Sequence, residues 1–440
     1  MGITVPKSFW DAPKFTGEKE MDYKDKKLLV LGGAFQHGKV VEEAKRLGIY
    51  TIVTDNLAPS DAPAKQIADE YWMLNIYDVD SIVKKCKEEK VDGVVAGWLD
   101  PCQRPYAEIC SKLGVPAYCN AEQVMNMTDK IAFKAMCKQY GVDIIPDYTL
   151  EDVSNKKVNF PVFVKPVDSR GSRGQTICNN YEELDAAIKF ARKESSNGGV
   201  LIEKYMEKVN EFHVTYFFAE GEPYLVRGSD NYCGPKETGM DKVVSCAVYP
   251  SRFLKKYMEG PHKNVVNMFK NSGQKNGPVF MQGFRDGDKF RFFDPGMRFP
   301  GVDCELAIQK ATGINYMKAM IDIALTGKCQ LNASECYKMG GQVASVLYLN
   351  VRPGKIVNIK NEDVIRNNPN VVAYLPRCKV GDEISWSYNV NQRFAELDIL
   401  APTFEELIEI MDQIQKNIFV EDENGENMIF NLFDLSRIER

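Results

Sequence analysis

Three histidines in 440 residues leave little material for a histidine-ligated metal centre. No apolar run reaches the roughly 20 residues that a membrane-spanning helix needs. The N-terminal stretch MGITVPKSFWDAPKFTGEKE has neither the basic start nor the apolar centre of a secretory signal, and its Pro6 fits a myristoylation motif poorly. Lys and Arg are dispersed in a chain of net charge −5, with no basic stripe, so no nucleic-acid partner is expected. The twelve cysteines are scattered, and the close pair Cys102 and Cys110 lacks zinc-knuckle spacing, so neither a disulfide framework nor a structural zinc site is expected. These absences point to a cytoplasmic protein with reduced thiols and no membrane contact.

What is present is the material of several packed units. A chain of 440 residues, 44% hydrophobic and 27% charged, has the composition of a globular protein with two to four cores. From residue 26 the pattern is strand then helix. KKLLVLGG (26–33), YTIVTD (50–55) and VDGVVAG (91–97) read as buried parallel strands. GKVVEEAKRLG (38–48), VDSIVKKCKEEK (79–90) and RPYAEICSKLG (104–114) have helical spacing, and VPAYCN (115–120) reads as a further strand. This alternation predicts a doubly wound parallel sheet over residues 1–120. Gly32 and Gly33 after the first strand, with Asp55 after the second, invite a dinucleotide-binding reading. GGAFQHG lacks the G-x-G-x-x-G spacing, however, which favours a tight strand-to-helix turn.

The texture changes near residue 127. A helix within TDKIAFKAMCKQYG leads to strands at 160–167, 174–179 and 199–206, and a hairpin over 210–230 turns at AEGEP. A helix over 181–195 starts at Asn180, with acidic residues in its first turn. Residues 121–335 therefore read as an α+β unit. Residues 336–440 read as a β-rich unit closed by a helix, where Thr403 and Glu406 suggest a capping box.

Three features of the central unit carry chemistry. In VFVKPVDSRGSRG, Lys165 ends a buried strand, and the following Ser169, Arg170, Gly171, Ser172 and Gly174 can turn hydroxyls and backbone N–H groups toward an anion. Lys130 stands at a helix N-terminus, where a cation is unfavourable unless an anion such as phosphate compensates it. In VLIEKYMEKVNEFHV, apolar Val200–Ile202 run into Glu203, and after a polar interval Glu211 leads a second strand, offering a backbone edge to a planar base and a carboxylate to ribose hydroxyls. Each feature alone is also compatible with an ordinary hairpin, an exposed lysine or solvent-facing glutamates.

In this order and spacing the three features resemble the ATP-grasp superfamily, in particular its carboxylate–amine ligases and the biotin carboxylase and carbamoyl-phosphate synthase subunits. The resemblance implies a fold of three units: the N-terminal α/β unit (1–120), an ATP-grasp domain (121–335) and a β-rich C-terminal unit (336–440). It implies ATP and Mg²⁺ as cofactors. Lys130, Lys165 and the 168–174 loop would contact phosphates, Glu203, Lys204, Tyr205 and Met206 would form the adenine hinge, and Glu211 would hold the ribose.

The family's metal and catalytic strands match PVFMQGFRDGDKF and FRFFDPGMRFPG. Here Asp294 keeps an acid and Arg298 keeps the basic catalytic position. Gln282 stands where an acid is expected, and Gly296 where the family has Asn. Asp294 and Gln282 are the expected metal ligands, a set that suits one Mg²⁺ better than two. The implied activity is ATP-dependent activation of a small-molecule carboxylate as an acyl phosphate, followed by joining to an amine. The alternative is an ATP-grasp protein that binds nucleotide or ligand without ligation, and phosphoryl transfer to a hydroxyl is chemically adjacent. The C-terminal unit is expected either to help close the site or to form a homodimer contact.

Overall fold

The computed structural model describes residues 23–167, 174–206, 210–241, 243–302, 304–329, 331 and 333–438. Near the N-terminus, β1 (Lys27–Leu31), β2 (Tyr50–Thr54), β3 (Glu70–Trp72) and β4 (Gly93–Val95) form a parallel sheet in the order β3-β2-β1-β4. Between them run α1 (Phe35–Arg46), α2 (Pro63–Ile67) and α3 (Val79–Glu89), and α4 (Asp100–Leu113) follows β4. The last four residues of β1 are fully buried, as expected of a strand covered on both faces. Strand order reverses at β1, so the segments after β1 and β4 meet at the carboxyl ends of the strands, where open α/β sheets hold their crevices.

The strand expected at 115–120 does not form. Its backbone is bonded by side chains instead: Tyr118 N donates to the Tyr106 hydroxyl, and Gln274 Nε2 donates to Tyr118 O. Two helices follow, α5 (Ala121–Thr128) and α6 (Lys130–Gln139). Asp129 caps α6 by accepting from the N–H groups of Ile131 and Ala132, which fixes Lys130 as its first residue.

A small antiparallel sheet comes next, made of β5 (Asp147–Tyr148), β6 (Val162–Pro166), β7 (Thr176–Cys178) and β8 (Val200–Lys204) in the order β5-β8-β6-β7. Helices α7 (Leu150–Ser154) and α8 (Tyr181–Glu194) accompany it. Asn180 caps α8 by accepting from Glu183 N. Val162, Val164, Leu184, Ile188, Ala191 and Ile202 give this lobe a core of its own.

The large sheet begins with the hairpin of β9 (Asn210–Ala219) and β10 (Glu222–Cys233), which turns at Glu220–Gly221 as expected. It continues with β11 (Val244–Tyr249), β12 (Gly277–Asp286), β13 (Lys289–Gly296) and β14 (Val343–Val351), in the order β13-β12-β9-β10-β11-β14. The strands Arg393–Ala401 and Val371–Pro376 extend it beyond β14, so strands on both sides of residue 336 share one sheet. The closing helix Phe404–Asn417 is capped by Thr403, which accepts from Glu406 N, one of the two bonds of a capping box. All twelve cysteines are free thiols. Among the described residues no helix is long and apolar enough to cross a membrane.

Candidate active site

The small sheet places Lys165 on β6 diagonal to Glu203 on β8, so their side chains share a face. Lys165 Nζ lies 2.6 Å from Glu203 Oε2. The other carboxylate oxygen lies 2.6 Å from the Nζ of Lys134, one helical turn beyond Lys130 on α6. All three side chains are buried. Burial alone would raise the Glu203 pKa, but the Lys165 and Lys134 charges outweigh it and hold the carboxyl below the usual range. Glu203 thus fixes a pair of ammonium groups beneath the cleft. Its side chain is committed to that task, while its strand leads into the expected adenine hinge.

Lys130 and Asp294 are different: among the described residues, neither side chain has a hydrogen-bond or ion-pair partner. Burial, then the Lys165 charge, lowers the Lys130 pKa, with Asp294 and Glu203 opposing. Burial raises the Asp294 pKa, and Asp100 adds to this while Lys130 and Arg298 oppose it. An amine and a carboxylate held partly out of water without direct partners fit a charged ligand that would satisfy both. Asp294 on β13 lies opposite Gln282 on β12, which in turn lies opposite His213 on β9. One carboxylate and one neighbouring amide fit a single oxygen-ligated cation that takes its remaining ligands from phosphates and water. Among the described residues, no group of three or more His, Cys, Asp or Glu could hold a metal alone.

The glycine at 296 has a steric cause. It pairs with Phe280, and a Cβ at 296 would overlap the Phe280 ring. The absent side chain and the aromatic neighbour are therefore one feature.

At the hinge, Lys204 N donates to Pro146 O and Tyr205 N to Pro161 O. The N–H of Met206 is given to no other described residue. Glu211 Oε1 on β9 lies 3.0 Å from His213 Nε2, and His213 Nδ1 lies 3.1 Å from Asn231 Nδ2. The hinge follows β8 of the small sheet, and Glu211 lies on β9 of the large one. Ser169, Arg170, Gly171 and Ser172 lie outside the described residues. Gly174, which closes their loop, has φ +72°, and a Cβ there would crowd Pro166 and Glu194.

Arg298 lies just beyond β13 and reaches the N-terminal unit. Its Nε and Nη2 donate to the two oxygens of Asp100, at 2.5 and 2.6 Å, while Nη1 donates to Phe299 O. The guanidinium also lies over the Phe280 ring, 4.6 Å from its centre. Asp100 opens α4 directly after β4. This partner and Lys134 escaped the sequence reading. Spacing of four from Lys130 could have flagged Lys134, and the position after the third parallel strand could have flagged Asp100.

Two further cations of the central unit, Arg285 and Arg252, have internal partners, and a third, Lys236, has none among the described residues. Arg285 donates to Asp288 and Lys289 O, Arg252 N donates to Asp230, and Lys236 is exposed. Asp55, considered as a ribose acid, accepts from Gly33 N at 2.6 Å and pairs with Lys65 at 2.6 Å, which makes it the brace of a tight turn. A cavity of about 500 Å³, lined among others by Met127, Met136, Gln274 and Met297, lies apart from the lysine–carboxylate cluster.

Residues 129–331 match the family model of the carbamoyl-phosphate synthase L chain, ATP binding domain. The 2-oxoglutarate carboxylase small subunit of Hydrogenobacter thermophilus is 30% identical over 210 residues, covering 43% of this chain and 44% of that protein. The chain spans about half the length of the curated relatives it matches. The biotin carboxylase domain of the Hydrogenobacter thermophilus 2-oxoglutarate carboxylase, solved with MgADP and bicarbonate, superposes with TM-score 0.73 at 21% identity, covering 90% of this chain and 91% of that one. The L-amino acid ligase of Bacillus licheniformis superposes with TM-score 0.72 at 17% identity, covering 90% and 98%. The fold is that of these proteins.

Proposed function

We propose that this chain, a member of the ATP-grasp superfamily through residues 129–331, is an ATP-dependent ligase that activates a small-molecule carboxylate and joins it to an amine. The observation that carries this reading is a charge pattern: Lys130 and Asp294, with no partner among the described residues, stand beside a buried Lys165–Glu203–Lys134 cluster. A nucleotide phosphate chain with a bound cation is complementary to that pattern.

In this reading the Met206 N–H and its hinge neighbours meet the adenine edge, and Glu211 meets the ribose. Lys130 and Lys165 hold phosphate oxygens, with the 168–174 loop above them. Asp294 and Gln282 would hold Mg²⁺, which neutralises phosphate charge when bound. An oxygen of the substrate carboxylate attacks the γ-phosphorus, the bond to the β,γ-bridging oxygen breaks, and ADP leaves. The amine nitrogen then attacks the acyl carbon, the C–O bond to phosphate breaks, and the nitrogen loses a proton. Side chains here position and neutralise, as in phosphoryl transfer generally. Arg298 stabilises the charge that develops on the transferring group.

Gly296, with Phe280 filling its space, supplies no side-chain ligand, and this favours a second reading in which nucleotide binds without ligation. ADP release across a panel of carboxylates, each with and without amines, separates the two. ADP formed only when a carboxylate is present supports ligation. Tight ATP binding without ADP under every combination overturns it.

A further inference from the structure

We infer that Asp100 is a positioning residue for Arg298, through which the N-terminal unit sets the aim of the catalytic arginine; this rests on the ligase reading above. The segment Met297–Phe299 is sewn at three successive points to the loop after β4 and the first turn of α4. Met297 N donates to Gln103 Oε1 at 2.9 Å, Arg298 bonds Asp100 twice, and Phe299 N donates to Gly97 O at 2.7 Å. The first two points are linked, because Gln103 Nε2 donates to Asp100 Oδ1 at 2.9 Å. A closed circuit therefore runs from the backbone of 297 through Gln103 and Asp100 to the side chain of 298. Gln103 is fully buried within it.

The consequence for Arg298 follows from donor geometry. A guanidinium has five N–H groups in one plane. Asp100 takes one on Nε and one on Nη2, and Phe299 O takes one on Nη1. One N–H remains on each terminal nitrogen. With Phe280 against the flat face, the plane can neither tilt nor rotate without losing the bidentate pair. Those two N–H groups are therefore held in a fixed direction before any ligand arrives, as electrostatic stabilisation of a transition state requires.

The pair is asymmetric in exposure. The Arg298 side chain is 11% exposed and that of Asp100 is 54%. An acid that served only to neutralise a buried cation would be expected to share its burial. Asp100 instead is half-exposed, at the first residue of α4.

The test uses the whole chain and a transition-state mimic, so that it needs no knowledge of the substrate. Thermal shifts are measured with MgADP alone and with MgADP plus aluminium fluoride, which imitates a transferring phosphoryl group. The parent is expected to gain further stabilisation from aluminium fluoride, and Arg298→Ala to lose it. Asp100→Asn, which puts an N–H where an acceptor stood, should lose most of that gain, about tenfold or more in mimic affinity, and keep the MgADP shift of the parent. Asp100→Glu should restore part of it. An unchanged MgADP shift also shows that the variant has folded. If Asp100→Asn keeps the full aluminium fluoride gain, the inference is wrong and the ligase reading stands. If the parent binds MgADP and shows no gain from aluminium fluoride, the phosphoryl-transfer reading itself fails.

Discussion

Glu203 Oε2 lies 2.6 Å from Lys165 Nζ in a site where both side chains are almost wholly buried. With Lys134 on its other oxygen, Glu203 is the anion that two buried ammonium groups share, while Asp147 lies 3.5 Å from Lys134 Nζ as a second, more exposed partner. Removing one partner of such a set leaves charge without compensation, which costs about 3–5 kcal/mol. Glu203→Gln is therefore expected to lower stability by that amount at neutral pH, measured by denaturant unfolding. The sign with pH is fixed by the direction of its shift. A carboxyl held below its usual range contributes stability above the unfolded value of about 4.3 and loses it as pH falls through the lower folded value. The deficit of Glu203→Gln should narrow below about pH 4.

Lys130 and Lys165 should respond in opposite ways to loss of charge. Lys165→Met breaks the buried pair and should destabilise the free protein. Lys130 has no partner among the described residues and a lowered pKa, so Lys130→Met should leave the free protein as stable or more stable. Both variants should lose ATP affinity. Thermal unfolding with and without MgATP checks the two effects in one experiment.

Asp294 pays for its position in the same way, since burial raises its pKa. A raised carboxyl destabilises the fold once pH exceeds the unfolded value, and the penalty disappears below it. Asp294→Asn should therefore raise the melting temperature of the nucleotide-free protein at neutral pH. The gain should shrink toward about pH 4, where the unfolded carboxyl also protonates. The same variant should abolish the effect of Mg²⁺ on nucleotide binding, read by titration with and without the ion.

Gly296→Asn puts a side chain into the Phe280 ring and should cost about 1–3 kcal/mol of overpacking. Combined with Phe280→Ala, part of that cost should be recovered. A double-mutant cycle by chemical denaturation measures the coupling, and strictly additive effects would show that the two positions are independent.

Much of this was legible in the chain. The ends of α8, the hairpin at Glu220–Gly221 and the start of α6 at Lys130 depend on caps and turns whose determinants lie within a few residues. The two lysines, Asp294 and Arg298 carried a family resemblance in their order. What was not legible depends on distant encounters. Asp100 and Arg298 are 198 positions apart, and nothing local to either residue specifies the other. The role of Glu203 as an anchor needed Lys134, contributed by a helix that local pattern could not dock. Residues 115–120 read as a strand by composition, but the tyrosine hydroxyl and glutamine amide that take up their backbone come from elsewhere in the fold.

In the proposed reaction a carboxylate oxygen attacks the γ-phosphate of ATP. The most direct measurement labels the substrate carboxylate with heavy oxygen and analyses the released phosphate by mass spectrometry. One labelled oxygen transferred to phosphate per turnover is the predicted result. ADP formation with wholly unlabelled phosphate would contradict it.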